Sequence, residues 1–405
     1  MSRLDVEGTF HQPPRDRLDR FVTRAFQAGA IALGVCFALG LVWRDDMSLA
    51  YLVGFLFWVG IATGCLGLSM LHHLVGGQWG LPIRRPLEAG GMTIFPLALL
   101  FLPIALNLEH LYPWAGSEAI RSDPALEHQK MYLNTAFFLG RALFYFAVWG
   151  LFAWLLRRWS LEQDAAADFR PTRRLQTLSG PGLVVLFLTF SFAAIDWGMS
   201  LEPRWASTIY GPMLITGSAL ATLATMILVC TWFLTDTPLG EAATAPRLHD
   251  LGNLLLAFVM LWAYMSFSQF LIIWSGNLSE ETPWYIRRTQ GGWEYVALLL
   301  IVVQFFLPFF LLLSRDAKRK ASALSIVAWV IVVMHLVALT WLILPARGET
   351  SRPHFRWVAL PFVALASGGI GAICAAIFLS LLKRQPLIPL RDPRLSTVDH
   401  ETRSE

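Results

Sequence analysis

Ten stretches of this chain are each apolar over a window of about 19 residues, enough for a helix to cross a hydrocarbon core of about 30 Å. They lie near 21–43, 49–71, 87–108, 132–156, 182–201, 208–234, 251–274, 295–314, 322–344 and 356–382, and are numbered here as spans 1 to 10. Inside a bilayer each backbone N–H and C=O must find its partner within the segment, so each stretch has to be a helix. Composition closes off the alternatives. Only 15% of the 405 residues are charged, whereas a soluble domain carries about 25%. That leaves too little charge to coat the two or three soluble domains that this length would suggest. A disordered chain, a coiled coil, a nucleic-acid-binding domain and a secreted disulfide scaffold are excluded on the same ground. The expected fold is an all-α polytopic membrane protein.

The first twenty residues are polar, with Pro13, Pro14 and four arginines. No A-x-A cleavage pattern follows the first apolar run, so it is expected to be a retained helix rather than a signal peptide. Orientation follows from the cations outside the spans. Of the 32 Lys and Arg residues, 22 fall on the side of the N-terminus and nine on the other, with Arg141 inside a span. The cluster Arg315, Lys318, Arg319, Lys320 is the sharpest marker. By the positive-inside rule both termini, 1–20 and 383–405, are cytoplasmic, flanking a membrane domain over 21–382. The longer loops 107–131 and 275–294 then lie on the outer side. Their Trp114, Trp284, Tyr285 and Trp293 suit an interfacial aromatic belt.

Span 10 carries two rows of small residues, Ser367, Gly371, Ala375 and Gly368, Ala372, Ala376. Such rows let helices approach closely, here or in another protein chain. Spans 2–5 and 6–9 also look alike. Glu88 and Gly90 open span 3 as Asp250 and Gly252 open span 7. Tyr132 precedes Arg141 by nine residues, as Tyr295 precedes Gln304. Asp196 and His335 stand at matching depths of spans 5 and 9. Two four-helix bundles of equal orientation, with spans 1 and 10 outside them, are the expected architecture.

A charge at mid-membrane costs about 2.5–3.5 kcal/mol even on the most lenient scale, which makes intramembrane polar residues functional candidates. Arg141 is the most expensive. Asn134, Arg141 and Tyr145 share one helix face, and Asp196 sits at overlapping depth in the next span. An Arg141–Asp196 pair would neutralise both charges, either as a structural lock or in a proton or quinone role. Glu109 and His110, closing span 3, would extend this set outward as a polar chain, or form an ordinary pair at a helix end. His72, His73 and Glu88 gather at the inner end of spans 2 and 3, as the start of an inner half-channel or as wet helix ends. Asp250, Ser268, Gln269, Gln304 and His335 form a thinner set in the second bundle. A lone histidine on an apolar helix is more often a hydrogen-bonded core residue than a ligand.

Haem between helices wants two histidines at matching depth, and His335 has no such partner in the sequence. Cys36, Cys65, Cys230 and Cys374 fall singly inside apolar stretches, as small buried residues rather than cluster or disulfide ligands. No metal-ligand spacing, phosphate loop or nucleophile–base motif is present. The chain is expected to bind no redox centre and to have no catalytic centre of its own.

The segment Phe270–Arg288, FLIIWSGNLSEETPWYIRR, continues into Gln290-Gly291-Gly292-Trp293. With Asp196, Met199, Leu201, Pro203 and Ser207 to Gly211, and with His72-His73 before Gly76-Gly77-x-Trp79, it resembles the ActF family, one of the membrane components of bacterial alternative complex III. The resemblance covers nearly the whole chain. It implies a membrane subunit of a quinol:electron-acceptor oxidoreductase in the bacterial cytoplasmic membrane, with an NrfD/PsrC-like fold. It implies partners too: a multihaem cytochrome and an iron–sulfur protein carrying the haem c and clusters, and a second NrfD-like membrane protein, ActC, as the better-supported quinol site. The contribution expected of this chain is a proton pathway, with a quinone pocket as a second candidate. The resemblance transfers no individual site residue; those above rest on membrane polarity alone. A membrane anchor of a molybdopterin-type reductase and a stand-alone proton-coupled transporter are the rival readings. A transporter usually breaks a helix near the midplane, for which Pro308 in span 8 is a candidate.

Overall fold

The chain is an all-α polytopic membrane protein; among the described residues ten helices are long and apolar enough to span a membrane, Asp19–Gly40, Arg44–Val75, Arg84–Leu106, Thr135–Asp164, Arg170–Leu201, Tyr210–Thr231, Ala245–Gly276, Trp293–Leu313, Ala321–Ala346 and Ala359–Leu382. The computed structural model describes residues 15–116, 129–165, 169–233, 242–347 and 355–389. Most of the two terminal segments, 1–14 and 390–405, therefore lies outside the described residues. The face where span 1 begins and span 10 ends is called here the near face, its opposite the far face.

Several helices outrun the apolar windows that reveal them. Span 2 starts five residues before 49 and span 5 twelve before 182. Both extra pieces are polar and helical at once, because hydropathy reports where the hydrocarbon lies and not where hydrogen bonding stops. Span 3 instead divides into Arg84–Gly91, Ile94–Leu100 and Leu102–Leu106. Pro96 and Pro103 lack the N–H that would close turns on Met92 and Leu99. Pro308 does not break span 8. The helix runs on through it, but the preceding stretch Leu300–Phe306 is widened to π-helical turns.

Spans 2–5 pack in a ring of neighbours as one four-helix group, and spans 6–9 as another. The groups meet along span 2 against spans 6 and 9, and along span 5 against span 6. Spans 1 and 10 pair with each other and lie together on span 2. This makes span 2 the hub: 94% of its most apolar window is buried, against 17% in spans 1 and 7. Small side chains permit it. A Cβ at Gly60 or Gly64 would strike Ser218 or Thr222 of span 6, and the Thr222 hydroxyl donates across to the Ile61 carbonyl at 3.2 Å. One small-residue row of span 10 serves the same end within the chain. A Cβ at Gly54 would meet Ser367, one at Gly371 would meet Trp58, and the Trp58 indole donates to the Ser367 carbonyl at 2.7 Å. Gly368 of the other row faces outward, with nothing beside it.

Candidate functional site

Arg141 and Asp196 meet in the far half of the first group. Spans 4 and 5 are antiparallel neighbours, so a residue one-quarter of the way into span 4 stands level with one near the end of span 5. The guanidinium binds the carboxylate at two points, Nε to Oδ2 at 2.8 Å and Nη2 to Oδ1 at 2.9 Å. Such a fork matches the planar carboxylate and is stronger than a single contact. Tyr145, one turn beyond Arg141, donates its hydroxyl to Asp196 Oδ2 at 2.8 Å. Asp196 is fully buried. The third edge of the guanidinium donates to the Tyr132 carbonyl at 2.9 Å, and its face lies 3.8 Å from the Tyr132 ring centre. Burial first, and then the Asp196 charge, push the Tyr112 and Tyr132 hydroxyls, both outside the spans, above their ordinary values. They remain neutral, with protons to donate.

The other candidates on this side do not join the pair. Asn134 takes its place at the start of span 4: its Oδ1 accepts from the Phe137 N–H at 2.9 Å, as an N-cap. Its side chain is spent on the backbone and does not extend the polar chain. Glu109 is exposed. His110 instead faces Asp45 at the start of span 2, 3.9 Å away.

The near face holds a denser network, most of whose members carry no signal in the sequence. Glu88 accepts from Arg84 Nε at 3.1 Å and from Arg85 Nη1 at 2.9 Å. Ser160 donates to the same carboxylate. Arg84 donates in turn to Gln163, and Arg85 pairs with Asp164. Arg84, Arg85 and Glu88 are all buried. In the sequence Arg84 and Arg85 are only loop charges at a span end; the fold tucks that end between spans 2 and 4. His72 and His73 are likewise buried rather than wet. His72 packs edge-on to Trp79, with ring centres 5.2 Å apart, and sits within hydrogen-bonding distance of the Gly77 carbonyl, 3.2 Å. The turn Gly76-Gly77 folds back over span 2, using positive φ at both glycines.

On the far face the expected aromatic belt is corrected. Trp114, Trp284 and Trp293 are buried in protein. Trp284 stacks on Trp205 at 4.5 Å between ring centres and carries the Arg288 guanidinium at 3.7 Å on its ring. Arg288 and Arg287 bind Glu202 at 2.6 and 2.5 Å, and Arg288 also donates to the Leu342 carbonyl at 2.7 Å. These contacts tie the segment 270–293 to the segment 196–211, which sequence spacing holds far apart.

In the second group Asp250 is exposed, beside His249. Gln269 is buried and accepts from Ser207. Gln304 and His335 are buried and find no hydrogen-bond partner among the described residues. The two groups are thus alike in helix arrangement and unlike in polar contacts. The cysteines are free and buried. A cleft at the far ends of spans 1 to 3, near Ser48, Tyr51 and Asn107, has room for one water and not for a quinone ring. No family model matches the chain, and no curated protein matches it.

Proposed function

We propose that this chain is a membrane subunit of a quinol-oxidising complex of the alternative complex III kind, in which Asp196 carries protons through the far half of spans 2–5. The observation behind this is a buried carboxylate in a span that accepts a hydrogen bond from the Tyr145 hydroxyl and faces Arg141. Asp196 exchanges a proton when the Arg141 fork loosens, and Tyr145 relays it. Arg141 is the counter-charge that makes an ionised Asp196 tolerable at this depth. The resemblance of 270–293, 196–211 and 72–79 gives the reading its complex. The same reading puts the near face in the bacterial cytoplasm, with electron carriers on partner chains.

Affinity purification from mild detergent tests the assignment. Multihaem cytochrome and iron–sulfur partners are expected to co-purify, and the chain stripped of them should show no Soret band. A molybdopterin protein in their place, or a chain that always isolates alone, overturns it. Topology is tested separately. A periplasm-active reporter fused after Glu405 should be silent and one fused within 275–294 active; the reverse pattern inverts the orientation.

A further inference from the structure

Gln304 and His335 stand within about one turn of each other in depth in the second group. Leu300 packs with Met334 and Ala338, and spans 8 and 9 run antiparallel. The turn that carries His335 is thus level with Leu300, and Gln304, one turn further along span 8, lies about one turn nearer the near face. Both lie near the middle of their spans. Gln304 is completely buried, and neither its amide oxygen nor its nitrogen has a partner among the described residues. Both ring nitrogens of His335 are in the same condition.

Four such atoms within about one helical turn of depth are unusual. Buried polar groups are nearly always paired, because an unmade bond forfeits the hydration given up on burial. An apolar pair here would satisfy the bilayer better, so packing does not account for these two residues. Backbone features accompany them. Gln304 lies inside the π-helical stretch Leu300–Phe306, a distortion that frequently marks functional positions. Gly217 of span 6 faces His335; a Cβ there would stand 2.9 Å from ring Cε1 and 3.2 Å from Nδ1. The glycine lets the span 6 backbone lie close against this edge of the imidazole. The Phe57 ring lies 5.8 Å from the imidazole, between ring centres.

We infer that Gln304 and His335 bind internal water, making a hydrated site in the middle of the second group. The chemistry is complementary. The amide offers two donors and an acceptor, a neutral imidazole one of each, and water supplies two of both. Buried waters typically make about three bonds to groups otherwise unsatisfied. This inference does not rest on the proton role of Asp196 or on the identity of the complex, and either can fail without the other.

Cysteine accessibility tests it in the full chain in native membranes. Gln304→Cys and His335→Cys are made singly, with lipid-facing Leu298→Cys and Val333→Cys as controls. A small cationic methanethiosulfonate is the probe, read site by site by peptide mass spectrometry. The reagent attacks thiolate, which needs water, so cysteines at 304 and 335 should react roughly tenfold or more faster than the controls and native Cys65 and Cys230. Rates equal to those dry positions overturn the inference. Should the variants fail to assemble, a high-resolution density map of the unaltered protein decides. Water density within about 3.2 Å of the Gln304 amide or a His335 ring nitrogen supports the site. Carbon packed against all four atoms, or a ring-shaped ligand in the water's place, refutes it.

Discussion

Arg141→Leu or Asp196→Leu, made alone, is expected to lower stability by about 3–5 kcal/mol, the cost of leaving one charge buried without its partner. The double substitution should recover most of that loss, because no lone charge remains. The geometry makes the expectation strong: a two-point fork inside a span, closed by Tyr145, with Asp196 wholly buried. Thermal unfolding in detergent and the yield of assembled complex measure it. Activity of the double mutant then separates two roles. On the proposed function, if the pair is only a lock, assembled double mutant retains quinol oxidation and any coupled proton movement. If Asp196 carries protons, it assembles and loses coupling, since leucine exchanges none. Single mutants equal to wild type in stability and coupling would sink both readings. Tyr145→Phe refines the choice. It leaves the ion pair intact and removes the relay hydroxyl, so a loss of coupling at unchanged stability points to proton transfer.

Glu88→Leu should be about as damaging, again about 3–5 kcal/mol, for the same physical reason. It strips one carboxylate from two buried guanidiniums and leaves Asp164 alone to balance Arg85. The Ser160 hydroxyl loses its acceptor as well. Glu88→Gln keeps an acceptor oxygen but not the charge, so an intermediate loss is expected. Unfolding midpoints of the three proteins, measured side by side, give the order wild type, Gln, Leu. This outcome would make Glu88 the knot that holds spans 3 and 4 together at the near face. A Glu88→Gln protein of wild-type stability that has lost proton uptake would instead make it the mouth of an inner half-channel. Variants that match wild type in both respects would remove Glu88 from either role.

How much of the site is legible in the sequence depends on whether a cost is visible locally. The Arg141–Asp196 pairing is, because two opposite charges at overlapping depth in adjacent spans have one cheap solution. The glutamate at 88 is visible, but its partners are not. Arg84 and Arg85 lie at a span end, where sequence alone cannot separate a headgroup charge from a buried one. Asn134 has the right helical spacing and the wrong job, since the same side chain that suits a polar chain also suits an N-cap. Gln304 and His335 stand out singly in the sequence, and the absence of any protein partner for either among the described residues is a property of the packed structure.

Span number and helical class followed from the chain alone, because crossing hydrocarbon is a local demand that each segment meets with its own residues. Which helix is the hub, which tryptophans are buried and which charges are enclosed were decided only by tertiary structure. A lipid tail and a protein core are equally apolar. Span 2 and span 7 therefore have nearly the same hydropathy, 2.0 and 1.8, while one is enclosed by the chain's own helices and the other is mostly exposed on its surface. What separates them is the small-residue surface of Gly54, Gly60 and Gly64 meeting shapes on spans 6 and 10. That complementarity lies between segments distant in sequence, and it exists only once they are packed.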